Sequence, residues 1–360
     1  MLRKSMLLIL IVCLVSGVLV FNVFAENELN PTPEKPLTLR LGYEDRGNWP
    51  DTPGVLSPDS EHANALIFKQ YVESSSNGAV KVELFSHSLL GGAKQMVEMV
   101  KSESLDLCIE TGVMAGVFPK YEVISIPYAF RSTEVAWWVF DNSKFWKDLM
   151  DEMEKEVGII CLGMGQNGVR NFTNNVRPIH EPADMKGLKF RVMQSPVFVK
   201  MVEGLGANAV PIAWAELYTS LQTGVVDGEE NPISVIELGK IYEVQKYLTL
   251  DEHNWSENML IMNSKLFHNL PEDIQQIIKI AGIHGAVSDR AAEALKSRIT
   301  DFAKIAKNME IYKPTAVEIK KFQEAAQPAV VEYLQAKIGE EVINDFFGAI
   351  DEAEKALGYK

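Results

Sequence analysis

Apolar and polar positions follow two alternating periods along the chain. From Leu37 to Tyr43 every second residue is apolar, the period of a half-buried strand. Ala63, Leu66, Ile67 and Tyr71 then fall on one face of a helix. Ala79 to Phe85 returns to the strand period. Met96, Val97 and Val100 mark a helix over 95–101, and Leu105 to Ile109 is a third strand. Between the first strand and the first helix, Asp45 to Ser60 holds Gly47, Pro50, Pro53, Gly54 and Pro58, which reads as loop. Such alternation predicts α/β units around a mostly parallel sheet.

The pattern then restarts. Val157 to Gly163 and Gly187 to Val192 are strand-like, Pro196 to Gly204 helical and Asn208 to Ile212 strand-like. Ala213 to Thr223 is a helix with Trp214, Leu217, Tyr218 and Leu221 on one face, and Val225 to Asp227 a short strand. In the last third, Ile274, Ile277, Ile278 and Ala281 recur at helical spacing after Pro271-Glu272-Asp273, a helix-start sequence. A long helix from about Ile283 to Lys307 is placed to bridge two domains. Two α/β lobes with a helical brace account for the whole pattern.

The first residues depart from it. Arg3 and Lys4 precede an apolar run from Met6 to Val20, and Val23-Phe24-Ala25 offers small residues where a signal peptidase reads. This predicts an export signal cleaved near Ala25. A membrane anchor is the alternative, but the run is close to the lower limit for spanning a bilayer. Cys13 follows Val12, where lipoprotein processing needs a small residue. No later stretch is long and apolar enough to span a membrane, so the mature chain is not expected to be membrane-embedded. Residues 26–36 are Pro- and Glu-rich and read as a solvated leader.

Losing residues 1–25 removes Arg3 and Lys4 and no acid, which takes the formal net charge from −14 to −16. A surface this acidic does not attract nucleic acid or anionic lipid, and an anionic ligand must be held by a few local cations. Cys108 and Cys161 sit in apolar runs and read as two buried free thiols, although an exported protein permits a bridge.

Catalytic constellations are missing. The six histidines are scattered, and neither H-E-x-x-H nor G-x-S-x-G occurs. Gly163-Met164-Gly165-Gln166-Asn167-Gly168 fits G-x-G-x-x-G, but no helix opens from it, as a dinucleotide site requires. Asp227, Glu229 and Glu230 lack calcium-loop spacing, and Asp227-Gly228 reads as a turn. No cofactor and no metal are expected.

Arg191 is more informative. It ends the run Leu188-Lys189-Phe190-Arg191-Val192 on the face opposite Phe190, just before a helix that Ser195 can cap and Pro196 can start. Open α/β sheets bind ligands at such strand ends, and a guanidinium there can grip a carboxylate through two parallel hydrogen bonds. An exposed strand arginine or an internal salt bridge is the plainer reading. Asn231 before Pro232 is equally a helix cap, Trp214 a core residue, and Arg170 a surface strand residue.

Several stretches in order resemble one family. They are Leu89-Leu90-Gly91-Gly92, Gly168-Val169-Arg170-Asn171-Phe172-Thr173, Met185-Lys186-Gly187-Leu188-Lys189-Phe190-Arg191-Val192, Leu205-Gly206-Ala207, the segment from Glu216 to Pro232, and Leu270-Pro271-Glu272-Asp273. Together they resemble the solute receptors of tripartite ATP-independent periplasmic (TRAP) transporters, the DctP-like family. The resemblance covers nearly all the mature chain. It implies an α/β, two-lobed periplasmic binding protein, type II-like, with a long bridging helix. Lobe I would comprise residues 37–167 and 257–296, lobe II residues 168–256 and 297–345, with a C-terminal tail or helix over 346–360.

The same resemblance implies a small-molecule carboxylate as ligand and the membrane subunits of a TRAP transporter as partners. Arg191 would be the carboxylate anchor, assisted by Arg170 and Asn231. Gln194 and Trp214 would line the pocket, as in sugar-acid receptors, and Glu110 would contact the ligand from the other lobe. The loop from Glu44 to Ser60, with Trp49 and Asp51, is longer than usual, so recognition of the far end of the solute would differ here. A sugar acid such as a uronate is the expected ligand, with C4-dicarboxylates and hydroxy or keto acids as alternatives. A sensory partner uses the same closure, and a secreted enzyme would need a catalytic set that the sequence does not offer.

Overall fold

The computed structural model describes residues 29–47 and 57–360. The export signal, and Trp49 and Asp51 of the long loop, lie outside the described residues. The first half runs β1 (Leu37–Gly42), α1 (Ser60–Ser75), β2 (Val80–Phe85), α2 (Ala93–Lys101), β3 (Leu107–Glu110), α3 (Thr133–Asn142), α4 (Lys144–Val157) and β4 (Ile159–Met164). The middle runs β5 (Gly168–Asn174), β6 (Lys189–Val192), α5 (Pro196–Gly204), β7 (Asn208–Pro211), α6 (Trp214–Gln222), β8 (Gly228–Pro232), α7 (Ile233–Leu238) and β9 (Tyr247–Ser256). The chain ends with β10 (Met259–Asn263), α8 (Ser264–His268), α9 (Glu272–Leu295), α10 (Asp301–Ile305), β11 (Glu310–Tyr312), α11 (Ala316–Ile338) and α12 (Glu340–Ala356).

The strands form two sheets, one per lobe. The first has the order β2-β1-β3-β10-β4 and the second β11-β9-β5-β8-β6-β7. The alternation predicted mostly parallel sheets; the first is parallel in two of its four pairings and the second in three of five, counting β11 with β9. In the first sheet β1 is parallel to β2 and β3, but β10 is antiparallel to β3 and β4. In the second, β6 is parallel to β7 and β8, while β5 is antiparallel to β8 and β9. The reason is topological. The chain passes from β9 to β10 in one extended run, with no helix to reverse it. A strand that enters a sheet without a crossover helix enters antiparallel.

Two cores follow from the period-two pattern. Leu39, Leu41, Leu107, Ile109 and Leu260 of the first sheet are buried against Phe68 of α1 and Ile278 of α9. Phe172 and Phe190 of the second sheet stack edge to face, 5.4 Å between centroids, in a core that continues through Phe198 of α5 to Phe322 of α11. Cys108 and Cys161 are free; both pair with Ile261 of β10, which lies between their strands. Val225–Asp227 is turn, with the strand starting at Gly228.

The bridging helix starts earlier than its sequence suggests. α9 continues through a π-helical turn, Lys296–Thr300, into α10, so helix runs from Glu272 to Ile305. α9 packs on α1 and β4 of the first lobe, and α10 packs on α7 of the second. The approach to β4 depends on glycine. A Cβ on Gly163 would meet the Gly282 carbonyl oxygen at 2.4 Å, and one on Gly282 would meet the Leu162 oxygen at 2.4 Å. α11 packs on α5 and α12 on α3, which ties the C-terminal helices to both lobes.

Candidate functional site

A cavity of about 470 Å³ lies between the two sheets. Its second-lobe wall is built from β5, β6, β8 and the start of α6, and contains Arg170, Arg191, Gln194, Trp214 and Asn231. Its first-lobe wall comes from the chain after β1, the first turn of α1 and the start of α2, and contains Glu44, Asp45, Glu61 and Lys94. Asn167, from the G-x-G-x-x-G segment, lines it where the chain crosses between lobes. That segment runs from β4 directly into β5 and opens no helix, so it lacks the anion cradle of a dinucleotide site.

Arg191 lies at the carboxyl end of β6 and is 3% exposed. The parallel pairing of β6 with β7 carries it beside the end of β7, where its Nε donates to the Ile212 carbonyl at 2.9 Å. Among the described residues it forms no ion pair. Burial lowers its pKa from the ordinary range, partly offset by Glu230, Glu229 and Glu44. A buried guanidinium without a counter-ion is an unfinished anion site. Ser195 is the N-cap of α5, with Pro196 at its first turn, but its hydroxyl makes no capping bond.

Arg170 is fully buried on β5, not on the surface. Its Nε and Nη2 grip the Glu230 carboxylate, the Nη2–Oε1 bond being 2.9 Å. Nη1 has no partner among the described residues, although it is buried. Glu230 also faces His253 Nε2 at 3.2 Å, and His253 Nδ1 meets Asp251 at 2.9 Å. Burial opposes charge on His253, but Asp251 and Glu230 outweigh it and raise its pKa to about 9. Burial pushes Glu230 up, and Arg170 and His253 hold it below the usual carboxylate range. The group of Glu230, His253 and Asp251 fixes Arg170 with both N–H groups of Nη1 to spare.

Asn231 does not cap α7. Pro232 is the N-cap, and the Asn231 amide donates to Glu229, because β8 stays extended through Pro232. Glu229 is buried, which pushes its pKa up to about 7, and it also accepts from Thr173 Oγ1 at 2.8 Å. Trp214 is only half-buried at the start of α6, while Leu217 and Leu221 take the core positions of that stripe. Gln194 is exposed at the cavity wall.

Glu110 does not reach the cavity. It is fully buried at the end of β3, where its Oε2 accepts from the Val113 and Met114 amides, each at 3.1 Å. Burial raises its pKa to about 8, with Glu257 adding to the shift. The next residue, Thr111, lines the cavity instead. Successive strand residues point to opposite sides, so the expected contact misses by one position.

Sequence reasoning missed Glu44, Asp45 and Glu61 as individual wall residues, although it placed recognition of the far end in that loop. Glu61 Oε2 accepts from the Glu44 and Asp45 amides, both at 2.8 Å, and the Glu61 amide donates to Asp45 at 3.0 Å. The available signal was three acids around a strand end and the following helix start. Among the described residues no group of three or more His, Cys, Asp or Glu could hold a metal, and no helix is long and apolar enough to cross a membrane.

Comparison with known proteins agrees with this architecture. The bacterial extracellular solute-binding protein family 7 profile (DctP) matches residues 55–337. The 2,3-diketo-L-gulonate-binding periplasmic protein of Escherichia coli (strain K12) is 34% identical over 242 residues, covering 67% of this chain and 70% of that one. The sugar acid binding protein of Advenella mimigardefordensis strain DPN7T, solved with galactonate, superposes with a TM-score of 0.81 at 31% identity, over 88% of this chain and 99% of that one. A TRAP periplasmic solute binding protein from Shewanella oneidensis with bound succinate gives a TM-score of 0.79 at 25% identity, over 88% and 99%. These relatives are solute-binding proteins, not enzymes. This chain belongs to the DctP family of bacterial extracellular solute-binding proteins and is a TRAP-type solute receptor.

Proposed function

We propose that the cavity holds one small organic acid, a sugar acid such as a uronate being favoured, with its carboxylate clamped by Arg191 and Arg170. One observation carries this reading. Arg191 is buried without an ion-pair partner among the described residues, and Arg170, which lines the same cavity, has a buried Nη1 with no partner. A carboxylate supplies the missing charge and accepts from both guanidinium groups in a dry site, where charge-assisted bonds are strong. Asn231 and Gln194 then pair with hydroxyls, and the half-buried Trp214 face covers the ligand body. Glu110 supports the turn behind the cavity and does not touch the ligand.

The lobes, 37–167 with 257–296 and 168–256 with 297–345, close by hinge motion at the chain crossings after β4, after β9 and within the π-helical turn. Closure is favoured by contacts the ligand makes only when both walls meet it. The mature chain, cleaved near Ala25, delivers the closed form to the membrane subunits of a TRAP transporter. The galactonate of the Advenella receptor supports the sugar-acid reading. The test is a thermal-shift screen of organic acids on the mature chain, followed by calorimetry. Sugar acids are expected to raise the melting temperature and to lose that effect in Arg191→Ala. An unchanged melting temperature across the panel would overturn the reading.

A further inference from the structure

The two walls of the cavity differ in charge, and the first-lobe wall has no assigned partner. Three carboxyl groups, Glu44, Asp45 and Glu61, line it together. They are held there by a local interlock: Glu61 Oε2 takes the Glu44 and Asp45 amides, and Asp45 Oδ2 takes the Glu61 amide. One cation, Lys94, shares this wall with the three acids, and Arg46, next to Asp45 in the chain, is already paired. Arg46 is held by Asp59 at 2.9 Å and Glu237 at 3.2 Å, and Lys94 is exposed to solvent. On the opposite wall, Arg191 lacks a counter-ion and Arg170 Nη1 is unpartnered.

We infer that the ligand is a monocarboxylate whose far end carries hydroxyl groups facing Glu44, Asp45 and Glu61, and that this cavity rejects a second carboxylate. The inference rests on the carboxylate clamp proposed above. A second carboxylate at this wall would face three acids and one solvent-exposed lysine, and juxtaposed like charges are unfavourable. Burial raises Asp45 to about 8 and pushes Glu61 and Glu44 upward, so this wall disfavours negative charge, its own and a ligand's alike. A protonated carboxyl both donates and accepts, which matches a hydroxyl. An ammonium end would need the same carboxyls ionised, at the expense of their buried, mutually repelling arrangement.

Calorimetry on the mature chain with three probes that differ only at the terminal carbon separates these cases. D-Galactonate ends in a hydroxymethyl group, galactarate in a carboxylate, and 6-amino-6-deoxy-galactonate in an aminomethyl group. Erythronate and tartrate form a shorter pair for the same comparison. Each dicarboxylate is expected to bind at least a hundredfold more weakly than its hydroxyl counterpart, with the amine also weaker than the hydroxyl. The double variant Glu44→Gln with Glu61→Gln, which keeps the acceptor oxygens, is expected to narrow the gap between galactonate and galactarate at least tenfold. A dicarboxylate within tenfold of its counterpart overturns the inference while leaving the receptor reading intact. Tighter binding of the amine overturns the hydroxyl assignment. An unchanged gap in a folded double variant also overturns it. Failure of every acid to bind removes the receptor reading and this inference together.

Discussion

Replacing Arg191 by methionine separates binding from folding. In the empty cavity Arg191 gains one hydrogen bond, 2.9 Å to the Ile212 oxygen, and no ion pair. Such a bond contributes about 1 kcal/mol. Against it stands the desolvation of a guanidinium that is 3% exposed, the cause that lowers its pKa. The effective penalty for an unpaired buried ion is several kcal/mol. Arg191→Met keeps much of the apolar stem and removes that penalty. The empty variant is therefore expected to lose less than about 1 kcal/mol of stability, or to gain some. Ligand binding is the opposite case, because a buried carboxylate would lose its partner. The expected loss is roughly 3–5 kcal/mol, or about 150- to 5,000-fold in Kd. Arg170→Met is the control. It strands Glu230 beside His253 in a site with no solvent access and is expected to cost about 3–5 kcal/mol of stability even without ligand. The assay is urea unfolding of both empty variants beside calorimetry with a sugar acid. Arg191→Met unfolding as readily as Arg170→Met, or binding within a few-fold of the unmodified chain, would refute the reasoning.

Three further outcomes follow from the same geometry. Arg46 joins Asp59 of the first lobe to Glu237 of α7, so Arg46→Ala is expected to weaken ligand binding by about 1 kcal/mol through faster release; stopped-flow dissociation at the unmodified rate would show that the link is idle. Gly282→Val forces a side chain into the Leu162 carbonyl at 2.4 Å and is expected to destabilise the chain by about 2–3 kcal/mol, measured by urea unfolding, with a midpoint equal to the parent counting against the close approach. Stability is expected to fall as pH rises from about 5 to 8.5. Glu229 and Asp289 are raised to about 7, Asp45, Glu110 and Glu293 to about 8, and His253 to about 9, so the native state holds protons that the unfolded chain releases. Asp59, Glu230 and Glu237 are held low and set the loss on the acid side, where their contribution disappears as pH falls through their native pKa values. A melting temperature that is flat or rising between pH 5.5 and 8.5 would contradict this.

What the sequence made legible depended on whether a local period decided the answer. Arg191 could be placed because strand alternation and the Ser195-Pro196 helix start are both local, and the structure puts it at the end of β6 beside α5. Sheet direction was not local. β10 is antiparallel because the chain crosses between lobes without a helix, and no residue in Met259–Asn263 records that crossing. Glu110 failed for a smaller reason. Side-chain parity at the last residue of a strand decides between core and cavity, and the chain turns there so that Thr111 faces the ligand space.

The acid wall shows the limit most clearly. Residues 44, 45 and 61 meet only because Asp45 and Glu61 exchange backbone bonds across the intervening loop. A proline- and glycine-rich segment reads as surface loop, and nothing in its composition says that its two ends are tied together and buried. On the inference drawn above, this tie sets what kind of acid the receptor accepts. In the proposed clamp Arg191 and Arg170 meet only a carboxylate, so any acid small enough could satisfy them. On the inference above, discrimination comes from the opposite wall, where Glu44, Asp45 and Glu61 meet hydroxyl groups. Substitutions at Glu44, Asp45 and Glu61 are therefore expected to change ligand preference, read by calorimetry with paired hydroxy acids and dicarboxylates, while changes at Arg191 are expected only to remove binding.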